Sequence, residues 1–218
     1  MSATLTAPPP PPPVAALPVP PAPAPAPPPR PKVTPAMHTF TGDEYDRMVE
    51  VGILGPADRV ELIEGMVVEK MPANPPHENT VSAATELFIR ALPAGWVVRA
   101  EKSVGLADSR PEPDLAVARG DRKTYAARRP RPDELGLVAE LSDSMLDYDR
   151  DDKARVYARD SIPVYWIVNI PDRRVEVYTD PTGPGDAPRY ATARTFGPGD
   201  AVPVELDGQA VVEAGRLV

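Results

Sequence analysis

Proline dominates the first 36 residues of the chain and limits what this segment can fold into. Sixteen of the 32 prolines lie between residues 1 and 36, where Arg30 and Lys32 are the only charged residues. Proline has no backbone amide donor and a fixed φ, so a segment this rich in proline is a poor fit to a helix or a sheet. The composition predicts a disordered, extended and solvated tail over residues 1–36. Whether this tail is a dispensable spacer or the docking site of an unknown partner stays open.

The remaining residues, 37–218, are numerous enough to bury a sizeable core, and we expect them to form one domain. The proline-rich segment lacks the basic start and the uninterrupted apolar run of a signal peptide. No later segment reaches the roughly 18 apolar residues that are needed to cross a bilayer. We therefore expect a cytoplasmic protein without a membrane span.

Composition excludes several kinds of site. The chain has no Cys, two His, 24 Lys and Arg, and 32 Asp and Glu, which gives a formal net charge of −8. Without Cys there is no disulfide, thiolate nucleophile or Cys-based zinc site, and two His cannot form a three-His metal site. The sequence also lacks the glycine-rich phosphate-binding loops and the Gly-x-Ser-x-Gly motif of serine hydrolases. Carboxylates are the abundant chemical groups that remain.

Helical and strand patterns alternate along the rest of the chain. Thr41 and Glu44 form a capping-box pattern that predicts a helix start. Further helices are predicted over Glu78–Leu92 and Asp149–Arg159, and the strand patterns are a hairpin over Arg59–Lys70, then Trp96–Ala100, Leu115–Val117, Leu137–Leu141, Val164–Val168, Val175–Tyr178, Arg189–Thr195 and Val202–Leu206. This mixture predicts an α/β or α+β fold with a central mixed β-sheet flanked by helices.

Two carboxylates stand at the ends of neighbouring predicted strands. Asp114 precedes the strand Leu115–Val117, and Glu140 lies near the end of the strand Leu137–Leu141. An unpaired, ionised Glu is costly to bury in an apolar run, so it shifts its pKa or finds a cation. Carboxylates that converge from adjacent strands are suitable oxygen ligands for Mg²⁺ or Mn²⁺.

Lys153 follows on the next predicted helix, where Asp149, Lys153 and Tyr157 share one face at helical spacing. Two interpretations stay open. The helix can be a solvent-exposed surface with ion pairs between successive turns. Alternatively, Lys153 directs its ammonium group at the two carboxylates, where it would help to neutralise a pentavalent phosphoryl transition state.

Five sequence pieces occur in order between Thr39 and Tyr178. They are Val60-Glu61-Leu62-Ile63-Glu64-Gly65 with the following His77, Glu112-Pro113-Asp114-Leu115, Glu140-Leu141-Ser142, Asp149-x-x-x-Lys153-x-x-x-Tyr157, and Val164-Tyr165-Trp166-Ile167-Val168. Together they resemble the Uma-type restriction endonucleases, members of the PD-(D/E)xK nuclease superfamily. The resemblance implies a restriction-endonuclease-like core.

The resemblance also implies roles for individual residues. Asp114 and Glu140 correspond to the two acids of the motif. The lysine that the superfamily usually carries two residues after the second acid is replaced by Ser142, and Lys153 on the following helix fills its place. Glu61 matches an upstream glutamate that could complete the metal shell.

His77 matches the family's loop histidine, which would contact phosphate or help with proton transfer near the metal. The alternative for His77 is a local hydrogen bond at the start of a helix. The resemblance further implies that Mg²⁺ or Mn²⁺ is held by Asp114, Glu140, Glu61 and the Leu141 carbonyl. The implied activity is metal-dependent hydrolysis of phosphodiester bonds in DNA. Cutting both strands of a duplex often needs two sites, so a homodimer is one possibility and the oligomeric state stays open.

A basic segment lies between the two strands that carry Asp114 and Glu140. Its six cations are opposed only by Asp121, and they are Arg119, Arg122, Lys123, Arg128, Arg129 and Arg131. We expect this loop to border the site and to bind nucleic acid, with a solvated loop as the alternative. The acidic net charge argues against tight binding of nucleic acid elsewhere.

Two other functions remain open. One is a catalytically silent nuclease-fold module that binds nucleic acid or protein, which the acidic balance favours and the matched acids and lysine oppose. The other is a scaffold that is recruited through the proline-rich tail.

Overall fold

The computed structural model describes residues 37–206 and 209–210. The predicted tail over residues 1–36 lies outside the described residues, so the tail and the domain boundary stay predictions. None of the helices in the described part of the chain combines the length and the hydrophobicity that a membrane crossing requires.

A six-stranded mixed sheet forms the centre of the described domain. Its strands, in spatial order, are β3 (Trp96–Ala100), β4 (Leu115–Arg119), β5 (Leu135–Ser142), β6 (Val164–Asn169), β7 (Arg174–Pro181) and β8 (Tyr190–Phe196). The pair β5–β6 is parallel and every other neighbouring pair is antiparallel. Helices flank this sheet, so the predicted fold class is confirmed.

Two small two-stranded sheets lie outside the large sheet in the described part of the chain. One pairs β1 (Val60–Ile63) with β2 (Met66–Glu69), and the other pairs β9 (Glu205–Leu206) with β10 (Gln209–Ala210). The turn of the first hairpin is Glu64-Gly65, where both residues have positive φ, 49° and 76°. Positive φ at both turn residues matches the right-handed twist of the paired strands, and it favours glycine at position 65 because glycine has no Cβ. The predicted strand Val202–Leu206 is thus shorter than expected, because only its last two residues pair.

The first two helices each begin directly after an N-cap residue whose side chain accepts a backbone hydrogen bond. Helix α1 (Gly42–Glu50) starts at the predicted capping box of Thr41 and Glu44. Helix α2 (Pro75–Ala91) starts three residues before the prediction. The Asn74 side chain accepts a hydrogen bond from the His77 amide, and proline suits the first helical positions because its missing N–H needs no partner there.

The third helical region has three parts: α3 (Leu146–Tyr148), a π-helical stretch (Asp149–Lys153) and α4 (Ala154–Arg159). The wider π turn places both Asp149 and Lys153 in buried positions. Such bulges are frequent at functional sites.

Side chains alternate between two cores on the faces of the sheet. On β5, Leu137, Ala139 and Leu141 pack with α2, whereas Val138 faces the core that contains Tyr157 of α4. Since successive strand residues point to opposite faces, Glu140 points toward α4. The sheet thereby directs one carboxylate into an otherwise apolar layer beside the third helical region.

Candidate active site

A cavity of about 160 Å³ opens where β4 begins and β5 ends. It is bordered by the β1–β2 hairpin, the start of α2 and the π-helical stretch. All five side chains that the sequence proposes as catalytic line it: Glu61, His77, Asp114, Glu140 and Lys153. They come from five separate elements or loops and meet in one place.

Lys153 lies between two of these carboxylates. Its Nζ is 2.8 Å from Glu61 Oε1 and 3.3 Å from Glu140 Oε1. It donates a hydrogen bond to Glu61 Oε2 at 2.9 Å. Lys153 is only 4% exposed. The alternative of a solvent-exposed helix surface is therefore wrong for Lys153, which aims its ammonium group inward.

Burial and charge act against each other in this cluster. Burial raises the pKa of the Glu140 carboxyl to about 8, although the Lys153 ammonium opposes the shift. Burial lowers the pKa of Lys153, but the Glu140 and Glu61 carboxylates outweigh it and hold that pKa above its ordinary value. Lys153 thus stays positively charged at neutral pH, while Glu140 retains a proton more readily than an exposed glutamate does.

Asp114 is held by the backbone and by a histidine. Its Oδ2 accepts a hydrogen bond from the Leu141 amide at 2.7 Å and lies 3.1 Å from His77 Nε2. The hydrogen bond between the His77 ring and Asp114 raises the pKa of His77, while partial burial lowers it. The His77 amide also donates a hydrogen bond to the Asn74 side chain. His77 therefore makes the local hydrogen bond at the helix start that was its alternative role, and its ring reaches the site as well.

Tyr157 and Glu112 fix the two glutamates. The Tyr157 hydroxyl donates a hydrogen bond to Glu140 Oε1 at 2.7 Å from a fully buried position on α4. The Glu112 amide donates to Glu61 Oε2 at 3.0 Å. Glu112 itself pairs with Lys70, whose Nζ is 2.6 Å from Glu112 Oε2. Each acid next to Lys153 is therefore oriented by a second group.

Asp149 is a further buried carboxyl at the edge of the cavity. Burial raises its pKa to about 6, and the Ser142 hydroxyl and the Lys153 ammonium oppose this shift. Ser142 is the residue that stands where the superfamily carries its lysine. In this chain the position thus provides a small hydroxyl beside Asp149.

The donor set suits a hard divalent cation in part. Hydrogen bonds within the described residues use Asp114 Oδ2 and Glu140 Oε1, which leaves the second oxygen of each carboxylate available. Mg²⁺ usually binds one or two carboxylates and keeps several waters. Within residues 37–206 and 209–210, however, no three Asp, Glu or His side chains converge closely enough to hold an ion alone. Both Glu61 oxygens contact Lys153, so its role as a metal ligand stays a prediction that requires Lys153 to move.

The expectation that the basic loop borders this site is wrong. None of its six cations, Arg119, Arg122, Lys123, Arg128, Arg129 and Arg131, lines the cavity. Strands β4 and β5 are antiparallel, with Leu115 opposite Ala139 and Ala118 opposite Leu135. Asp114 and Glu140 therefore lie at one end of the pair and the connecting loop at the other, about 17 Å away along the strand.

Some of these cations are also engaged with carboxylates. Arg128 forms two hydrogen bonds with Glu134, and Arg129 Nη1 lies 2.7 Å from Asp46 Oδ1. Arg131 Nε lies 3.4 Å from Asp133 Oδ1. Binding of nucleic acid by this loop stays a prediction.

Sequence reasoning missed several residues that line the cavity. Arg59 and Lys70 flank the β1–β2 hairpin and bring positive charge to it. Tyr148 also lines it, and its buried hydroxyl makes no hydrogen bond within the described residues. Burial raises the pKa of this hydroxyl. A tyrosine in a polar segment carries no sequence pattern that separates a cavity residue from a surface one.

Comparisons with known proteins agree with this architecture. Residues 43–212 match the family model described as "Uma2: Putative restriction endonuclease". A crystal structure described as a putative nuclease belonging to DUF820, from Anabaena variabilis ATCC 29413, is similar with a TM-score of 0.59 and 14% identity. The match covers 82% of this chain and 97% of that chain. At this identity the likeness shows the fold alone. No protein with a curated description matches the chain.

Proposed function

Because the chain belongs to the Uma2 family of putative restriction endonucleases, we propose that it is a divalent-metal-dependent endonuclease that hydrolyses phosphodiester bonds of DNA. One observation carries the proposal beyond the family. The buried ammonium group of Lys153 lies against Glu61 and Glu140 in a cavity that also contains Asp114 and His77. A buried cluster of acids around one lysine is costly to maintain, which supports a function that needs it.

Asp114, Glu140 and the Leu141 carbonyl would hold Mg²⁺ or Mn²⁺, with water completing the shell. A bound ion would polarise the phosphate and lower the pKa of a bound water. It would also offset the repulsion between a phosphodiester and the carboxylates around the cavity.

The protein's own residues supply positioning and charge. The Leu141 amide and His77 hold the Asp114 carboxylate in one orientation, and the Tyr157 hydroxyl does the same for Glu140. Lys153 places a positive charge beside the two glutamates, where it would steady an attacking water and neutralise charge that develops on the phosphate. Since the pKa of Lys153 is raised, its expected contribution is electrostatic rather than the removal of a proton.

A nuclease assay tests the proposal. The purified chain is incubated with circular duplex, linear duplex and single-stranded DNA in Mg²⁺, Mn²⁺ or EDTA. We expect cleavage with either ion, none in EDTA, and a loss of about 100-fold or more in Asp114→Asn. The exposed Asp186→Asn, purified identically, is the control and keeps wild-type activity. Equal cleavage by both variants points to a contaminant and contradicts the proposal.

The alternative is a catalytically silent module that keeps the fold and binds nucleic acid or protein. The observation that favours it is that Lys153 already neutralises Glu61 and Glu140, while the described residues contain no group of three ligands. Calorimetric titration with Mn²⁺ separates the two functions. An enzyme binds the ion at Asp114 and loses it in Asp114→Asn, whereas a silent module takes up no ion and cleaves no DNA.

A further inference from the structure

A second groove, which we call the edge groove, runs along β3, the outermost strand of the large sheet. Its volume is about 690 Å³. It is lined by residues from α2, β3, the positions just after each of these elements, and the segment after β4: Thr85, Ile89, Leu92, Trp96, Val97, Val98, Arg99, Ala100, Lys102, Arg122 and Tyr125. It is distinct from the candidate active site, with which it shares no lining residue.

The charge of the edge groove is opposite to that of the chain as a whole. Arg99, Lys102 and Arg122 line it, and no Asp or Glu does. The chain carries a formal net charge of −8, and the other cavities contain carboxylates. Within the described residues, none of these three cations forms an ion pair with an acid, unlike Arg128 and Arg129 in the neighbouring loop. An acid-free set of three cations attracts an anionic partner.

Arg99 is the member of this set that is hardest to explain as a structural residue. It is half-buried, and its Nε is fully buried without a hydrogen bond in the described part of the chain. Its guanidinium lies 5.1 Å from the ring centre of Tyr125. Burial lowers its pKa, and the nearby Tyr125 hydroxyl opposes this shift. A buried cation without an acid is favourable once an anion lies against it.

The other half of the groove is apolar. Ile89 is 64% exposed on α2, and Leu92 and Trp96 line the groove on the same face of the sheet, whereas Val97 and Tyr125 line it on the opposite face. Paired DNA keeps its bases stacked inside and presents phosphates and sugars, which need no such surface. A single strand exposes its bases as well as its phosphates. A cationic groove with aromatic and aliphatic walls therefore matches a single strand better than a duplex.

The edge groove adjoins the candidate active site through two elements. At the end of β3, Ala100 and the following Lys102 line the groove, while Glu101 between them lines the active-site cavity. Helix α2 supplies His77 to that cavity, and Thr85 and Ile89 to the groove, about 12 and 18 Å further along its axis. These are distances that a few nucleotides span, so one strand can occupy both places.

We propose that the edge groove binds a single-stranded segment of nucleic acid that continues into the candidate active site. Arg99, Lys102 and Arg122 contact the phosphates, and the apolar wall contacts the bases. The substrate then carries an unpaired segment beside the bond that is cut. This inference rests on the proposed nuclease function for the link to cleavage, while binding in the groove can be tested without it.

Fluorescence anisotropy in EDTA measures binding apart from catalysis. The probes are a labelled 12-nucleotide single strand, an abasic strand of equal length and a blunt 12-base-pair duplex. We expect the single strand to bind most tightly. Lys102→Glu/Arg122→Glu, at two exposed positions, weakens its binding about tenfold or more and flattens the salt dependence by about 1.4 in slope, the value for two lost phosphate contacts on a single strand.

The matched control is Arg174→Glu/Arg194→Glu, which makes the same charge change at exposed positions on β7 and β8, near the opposite edge of the sheet. It keeps near wild-type affinity. Equal losses of affinity in both double variants mean that only the net charge of the protein affects binding, and this result overturns the proposal. Equal binding of the abasic strand, preference for the duplex, or binding of an acidic peptide in place of the oligonucleotide overturns it as well.

A small substrate separates the groove from the nuclease function. Bis(4-nitrophenyl) phosphate has one phosphodiester and does not extend into the groove. We expect Lys102→Glu/Arg122→Glu to hydrolyse it with Mn²⁺ at the wild-type rate while cleaving single-stranded DNA more slowly. If the wild type binds the single strand but cleaves neither substrate, the nuclease proposal fails and the groove remains. If the wild type cleaves both substrates, and the two double variants cleave single-stranded DNA equally well, the groove proposal fails and the nuclease proposal remains.

Discussion

Lys153 and Glu61 form a buried ion pair across 92 positions of the sequence, with Nζ 2.8 Å from Oε1. The pair joins the π-helical stretch to the β1–β2 hairpin, two elements that lie outside the central sheet. Glu140 of β5 completes it at 3.3 Å from the same Nζ. The position of the hairpin over the sheet thus depends on the residues that also line the candidate active site.

Removing Lys153 is expected to destabilise the fold by about 3–5 kcal/mol, because Lys153→Met leaves the buried Glu61 without its cation. Lys153→Met/Glu61→Gln is expected to cost less than the sum of its single variants, since the double change removes both members of the pair. Urea titrations followed by tryptophan fluorescence give the free energies of unfolding. Additivity within about 0.5 kcal/mol contradicts a coupled pair. Arg90→Met, which breaks an exposed pair with Glu86, is the control and changes stability little.

His77 is expected to act by orienting Asp114. His77→Ala removes the ring nitrogen that lies 3.1 Å from Asp114 Oδ2. Loss of a residue that orients a metal ligand typically lowers metal affinity about 10–100-fold, and we expect such a loss in calorimetric titrations with Mn²⁺. The chain has one other histidine, His38, which is exposed and does not line the cavity. His38→Ala therefore serves as the control, and an equal effect in both variants contradicts the role of His77.

Tyr157 is expected to hold Glu140 through one hydroxyl. Tyr157→Phe removes the 2.7 Å hydrogen bond from a fully buried position and is expected to cost about 1–3 kcal/mol of unfolding free energy. It also lowers nuclease activity, because the Glu140 carboxylate loses its orientation. Tyr190→Phe removes a hydroxyl that bonds the Ile162 carbonyl away from the cavity, and it leaves activity unchanged. If Tyr157→Phe is as active as Tyr190→Phe, Glu140 does not need this hydroxyl.

The sequence predicts the centre of the fold and the members of the site for identifiable reasons. Apolar runs such as Leu137–Leu141 are long enough to indicate buried strands, and Glu140 stands out within its run because a buried acid is costly. Lys153 and Glu61 carry no such local signal, since exposed helices and hairpins contain the same residues. Helical spacing alone left two roles open for Lys153, and Glu61 was included only through the family resemblance.

The position of the basic loop could not be read from its place between two strands that carry acids. A loop between antiparallel strands lies at the end where the first strand finishes, and Asp114 and Glu140 occupy the other end. The direction of that pairing is a property of the sheet, not of either strand's sequence. The edge groove was equally hidden, because Arg122 follows β4 in sequence and joins Arg99 and Lys102 only when β3 becomes an edge of the sheet.

The pair of Glu134 and Arg128 predicts how stability changes in acid. Hydrogen bonds from Arg128 and from the Arg131 amide lower the pKa of Glu134 to about 2, although slight burial raises it. A carboxyl whose pKa is lower in the folded chain stabilises it above its unfolded pKa, near 4.5, and loses that effect as the pH falls toward 2. Wild type is therefore expected to be more stable than Glu134→Gln at pH 6, with the difference shrinking steadily between pH 4.5 and 2.5 in urea titrations. Glu86→Gln, which alters an exposed pair on α2, is the control and should follow the wild-type curve. If the difference in unfolding free energy between wild type and Glu134→Gln stays constant with pH, the charge of the Glu134 carboxylate does not stabilise the folded chain.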